Sequence, residues 1–171
     1  MKRGLRLLIV DDEQIEREAV RFFASSFDPP FEAIGEAENG IDAVEAAREF
    51  RPDIIILDIR MPGKSGMEAA AEIRATDARA RILFLTAFGE LEYARAAFKV
   101  RADDFLLKPV SERTFMEAVG RAVAALEEAG AIAAGDPLPE FGRRDAEAAL
   151  LEAVKRGDQD GAERAAERLC A

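Results

Sequence analysis

Residues 54–66 read IIILDIRMPGKSG. Four apolar residues, Ile54 to Leu57, run directly into a carboxylate, Asp58, and Met61-Pro62-Gly63 and Gly66 follow. A short apolar run bounded by turn residues reads as a strand. A run with no polar alternation is what a parallel sheet covered on both faces requires. An acid at the end of such a strand is costly to bury without a partner. The stretch therefore predicts a central strand whose carboxyl end emerges where Asp58 can meet a cation or a donor.

The rest of the chain repeats the unit. Leu5–Val10, Glu32–Ala37, Arg81–Thr86 and Phe105–Lys108 read as further strands. Helical periodicity follows each: Glu13–Ala24, Ile41–Phe50, Met67–Ala75, Glu90–Lys99 and Ser111–Glu128. In the last of these, Phe115, Ala118, Val119, Ala122, Val123 and Leu126 share one stripe, and Ser111 is positioned as its N-cap. Five strand–helix repeats with short connections imply right-handed crossovers and a parallel sheet with helices on both faces. The expected class is α/β, a flavodoxin-like doubly wound sheet of order 2-1-3-4-5 with a C-terminal helical extension. Ligands of such sheets bind at the carboxyl ends of the strands.

Composition narrows the chemistry. Of 171 residues 49% are apolar, enough for a core without cross-links. The chain has no histidine, which excludes Ser-His-Asp and Cys-His catalysis and histidine-ligated metals. Any metal must then be a hard cation on oxygen ligands. A single cysteine, Cys170, fits a reducing cytoplasm, and no secretory or membrane segment is expected. A net charge of −10 disfavours nucleic-acid binding by the chain.

Asp11-Asp12, Asp58, Thr86 and Lys108-Pro109 stand at the ends of the first, third, fourth and fifth strands. In the expected fold they share one edge. Clustered carboxylates repel, and a magnesium ion (or manganese) bound by one to three of Asp11, Asp12 and Asp58 plus waters relieves that. Lys108 suits a phosphate as a point charge, and Thr86 can donate to a phosphoryl oxygen. Asp58 would then be a nucleophile forming an aspartyl-phosphate. Taken singly, each feature has a plainer reading: a helix cap, a strand end, a turn. Their conjunction, in order, carries the assignment.

The stretches LLIVDDE, LDIRMPGKSG, LTAF and DDFLLKPV resemble the receiver domain of two-component response regulators. GEAENG and LEYARAAFKV are similar to the YesN/AraC-type regulators within that family. The resemblance implies that Asp58 accepts a phosphoryl group from a partner histidine kinase. It implies Asp12 as the more direct metal ligand and the backbone carbonyl of Arg60 as a further one. It assigns Thr86 and Phe105 as the conformational switch, with phenylalanine where tyrosine is commoner. It also implies a protein that catalyses its own phosphorylation and dephosphorylation rather than a conventional enzyme. A haloacid-dehalogenase-type phosphatase would need an acid two residues after the nucleophile, where this chain has Arg60.

The domain reading is a receiver over 1–129, a linker over 130–142, and two short helices over 143–171. Ala146, Ala149, Leu150, Ala153 and Val154 form one apolar stripe there, and Ala162, Ala165, Ala166 and Leu169 another. Acids outnumber bases in this tail, which disfavours DNA binding by it. The expected output is transcription through a DNA-binding domain absent from this chain. The alternative is a stand-alone receiver acting by protein–protein contact or homodimerisation.

Overall fold

The computed structural model describes residues 4–87 and 102–131. In chain order the elements are β1 (Arg6–Val10), α1 (Gln14–Ser25), β2 (Ala33–Ala37), α2 (Gly40–Phe50), β3 (Ile54–Asp58), α3 (Gly66–Thr76), β4 (Arg81–Ala87), β5 (Asp104–Lys108) and α4 (Glu112–Ala131). The strands form one five-stranded sheet of order 2-1-3-4-5. All four pairings are parallel, as the sequence pattern requires. The expected helix over Glu90–Lys99, most of the linker and the two tail helices lie outside the described residues.

Alternation along the strands sorts the core into two layers. Leu8, Val10, Ile55, Leu57, Ile82, Phe84 and Phe105 face α2 and α3. Leu7, Ile9, Ile54, Ile56, Leu83, Leu85 and Leu106 face α1 and α4. Every residue of β3 is buried, so the quoted stretch is the centre of the sheet. Each apolar side chain buried there contributes about 1.5–3 kcal/mol relative to exposure.

Local chemistry fixes the helix starts. Asn39 accepts from the Ile41 and Asp42 amides at 3.0 and 2.9 Å, capping α2. Ser65 and Glu68 form a reciprocal capping box on α3. Ser111 Oγ accepts from the Thr114 amide at 3.2 Å, the predicted cap of α4. Most boundaries fall within one residue of the sequence reading. β5 starts at Asp104, not Phe105, because Asp104 pairs with Leu83 of β4; its buried carboxylate is matched by Arg121 of α4 at 2.6 Å. α4 continues to Ala131, past the expected start of the linker.

Candidate functional site

Register builds the site. Val10 lies opposite Leu57, so the next residues, Asp11 and Asp58, end neighbouring strands side by side. Asp58 lies opposite Leu85, and Ala87 opposite Lys108. Strand alternation gives Asp11, Asp58 and Lys108 the parity of the α1–α4 layer. Thr86 has the opposite parity, shared with Phe84 and Phe105. One sheet edge thus carries an acid–lysine cluster on one side and a threonine–aromatic set on the other.

The cluster is tight. Asp11 is fully buried, Asp58 is 6% exposed, and Asp12 is exposed. One carboxylate oxygen from each of the three lies within 4.8 Å of the others. The Lys108 ammonium is 2.7 Å from Asp11 Oδ2 and 3.3 Å from Asp58 Oδ1. Asp11 Oδ1 accepts from the Glu13 amide at 2.9 Å. Asp11 Oδ2 has the lysine as an ion-pair neighbour but no aligned hydrogen bond.

One ammonium does not balance three carboxylates. Burial pushes the Asp58 carboxyl up to about 6; Lys108 opposes this, while Asp11 and Asp12 add to it. Burial works against the charged form of Lys108, but contacts with Asp11 and Asp58 outweigh it and raise its pKa. The set fits a hard divalent cation: oxygen donors, excess negative charge, and a buried Asp11 oxygen without a directed donor. Asp11, Asp12 and Asp58 would hold it.

The loop after Asp58 explains the glycines of the quoted stretch. A Cβ on Gly66 would lie 1.9 Å from the Asp58 carbonyl oxygen, so α3 can start there only without a side chain. A Cβ on Gly40 would lie 2.3 Å from the Lys64 carbonyl oxygen, so α2 also abuts this loop closely. Gly63 has φ +76°, in the left-handed region that favours glycine. Met61 is buried in the α2–α3 layer and anchors the loop. Arg60 lies exposed at its start.

Thr86 is buried at the end of β4, and its hydroxyl donates a long 3.4 Å contact to the Ala87 carbonyl. The Phe105 ring is buried, its centroid 6.1 Å from that of Phe84. All the predicted side chains therefore stand at one sheet edge or immediately behind it. Beside the acids is an open cavity of about 550 Å³, lined by Asp12, Glu38, Asn39, Ile41, Asp42, Pro62 and Gly63.

Sequence reasoning missed Arg17. It is buried on α1, in phase with Val20 and Ala24, and donates to the Asp11 carbonyl at 2.8 Å. The available signal was a charge on an otherwise apolar helical stripe.

Comparisons with known proteins agree on one family. The family described as "Response regulator receiver domain" matches residues 7–120. The chain is 40% identical over 118 residues to chemotaxis protein CheY of Listeria monocytogenes, covering 69% of this chain and 98% of that one. It is 39% identical over 117 residues to the transcriptional regulatory protein BtsR of Escherichia coli K12, covering 68% of this chain and 47% of BtsR. Among solved structures, the REC domain of AraT, a response regulator from Geobacillus stearothermophilus, superposes with TM-score 0.71 at 30% identity, covering 75% of this chain and 99% of that one.

Proposed function

The chain belongs to the response regulator receiver domain family, and from that premise we propose that Asp58 accepts a phosphoryl group in a magnesium-dependent reaction. The observation that carries this reading is the convergence of Asp11, Asp12, Asp58 and Lys108 within ion-pair distance at one sheet edge. An Asp58 carboxylate oxygen attacks phosphorus. The bond from phosphorus to the donor nitrogen breaks, and its electron pair stays with the donor imidazole. That imidazole belongs to a partner histidine kinase, since this chain has no histidine. A magnesium ion at the acids, when bound, neutralises charge on the transferring group and its acceptor. Manganese has the same hard-oxygen preference. Lys108 supplies a fixed positive charge for a phosphoryl oxygen, and Thr86 a hydroxyl donor. The Arg60 carbonyl is assigned as a further metal ligand.

Movement of Thr86 toward the phosphoryl oxygen would vacate space that the Phe105 ring then takes. Their shared parity on the sheet supports this pairing as the switch. Phe105 lacks a hydroxyl, so packing alone separates its two states. The output proposed is transcription, supported by the likeness to BtsR, a transcriptional regulatory protein. A second reading, a receiver acting by contact with other proteins or by homodimerisation, draws support from CheY, which the chain matches over almost its whole length. Cytoplasmic location is part of this reading, supported by the single cysteine; no helix among the described residues is long and apolar enough to cross a membrane.

The test is intact mass after incubation with magnesium and a small phosphodonor. Wild type gains one acid-labile phosphoryl group, and Asp58→Ala gains none. Folded wild type that stays unmodified overturns the reading.

A further inference from the structure

Arg17 is an unusual residue to bury, and its three nitrogens show why it is there. Nη1 donates to the Asp11 carbonyl at 2.8 Å. Nη2 donates to Glu38 Oε1 at 2.8 Å, and Nε to Glu36 Oε2 at 3.3 Å. Its side chain is 7% exposed. A buried arginine is retained when its rigid fork of donors is satisfied in several directions at once. Here the fork ties the end of β1 to the end of β2 and the residue beyond it.

Asp11 is gripped on nearly every polar atom. Its amide donates to the Ala37 carbonyl at 3.3 Å, its carbonyl accepts from Arg17, and its Oδ1 accepts from the Glu13 amide. Oδ2 alone is left facing Lys108 without a directed donor. The peptide beyond the Asp11 carbonyl carries Asp12, so the Arg17 contact fixes the plane that joins both acids. Neutralisation of Glu36 does not rest on Arg17 alone, because Arg21 also pairs with that carboxylate, at 2.5 Å. Burial alone would raise the Glu36 pKa, yet Arg21 and Arg17 together hold it below the usual range.

We infer that Arg17 is a positioning residue for the divalent-cation site: its guanidinium clamps the Asp11–Asp12 peptide to the β2 end through Glu36 and Glu38, and so aims the two carboxylates. The inference rests on the reading of Asp11, Asp12 and Asp58 as that site. Partners that orient metal ligands alter affinity without touching the metal, by about 10–100-fold when removed. Lysine cannot substitute, because one ammonium cannot reach the Asp11 carbonyl and two carboxylates in fixed directions.

The test is manganese binding by the full unphosphorylated chain, followed by the electron paramagnetic resonance of free Mn2+, alongside thermal melting. Wild type binds one ion. Arg17→Gln is expected to bind about tenfold more weakly. Arg17→Lys keeps the charge, and is expected to melt near wild type yet bind about tenfold more weakly. Wild-type affinity in folded Arg17→Lys overturns the inference and leaves the site reading intact. Absence of binding in wild type overturns the site reading itself. If Arg17→Gln fails to fold, the lysine variant decides.

Discussion

Asp58 is a carboxylate at the end of a buried strand, and its titration carries a sign. In the fold its carboxyl sits at about 6, above the usual 3.8, chiefly because burial disfavours the charged form. A raised acid pKa adds stability only below the unfolded value, and the contribution is lost as pH rises through the folded value. Above pH 6, keeping Asp58 ionised costs on the order of 3 kcal/mol. Asp58→Asn should therefore be more stable than wild type at pH 7.5 without metal, and the gain should vanish by pH 4. Urea unfolding of both proteins in a chelator measures this; a gain of equal size at both pH values would reject burial as the cause. The chemistry of Asp58 was legible because it interrupts an apolar run at a strand end. Arg17 was not, because its carboxylate partners Glu36 and Glu38 are far from it in sequence and the nearby Asp11 meets it through a backbone carbonyl that no side-chain pattern marks.

At the scale of elements, glycine placement separates constraint from convenience. Gly66 opens α3 with the Asp58 carbonyl oxygen 1.9 Å from where a Cβ would sit, whereas Gly120 on α4 has nothing within 4 Å of its own. Gly66→Ala must move either α3 or the Asp58 backbone, at a cost of about 3 kcal/mol. It should also slow phosphorylation more than the loss of stability explains. Gly120→Ala should instead stabilise by about 0.5–1 kcal/mol, since alanine is the better helix former and nothing clashes. Chemical denaturation of the two variants side by side distinguishes them; equal effects would contradict the close packing at Gly66. Strands β1, β3 and β4 were readable because their apolar runs are unbroken. β5 starts one residue earlier than expected because Asp104 resembles a loop acid in the sequence, yet it pairs with Leu83 of β4 while Arg121 holds its carboxylate. The caps at Asn39, Ser65 and Ser111 are local, so the starts of α2, α3 and α4 fell within one residue of the pattern-based boundaries.

At the scale of the whole molecule, the order of strands places four strand ends at one edge, and the fold itself is strained there by charge. The topology was legible from five alternating units; the balance of charge at the edge was not, because it depends on how deeply each acid is buried. Asp11 and Asp58 are buried, Asp12 is exposed, and Lys108 is shared between the first two. A cation that binds the folded chain and not the unfolded one stabilises it by mass action. At ten times its dissociation constant, magnesium should add about 1.4 kcal/mol. That corresponds to a rise of about 4 °C in melting temperature for a unit of this size. The rise should fade as pH falls through about 6, because protonated Asp58 no longer favours the cation and ligand carboxylates must be ionised to bind. It should be absent in Asp11→Asn/Asp12→Asn, and smaller in Arg17→Lys than in wild type at equal magnesium. Melting curves over a magnesium series at pH 7.5 and pH 4.5 measure all of these. A rise of equal size in the double asparagine variant would place the stabilising cation elsewhere on this acidic surface, and the convergence of the strand ends would then have another cause.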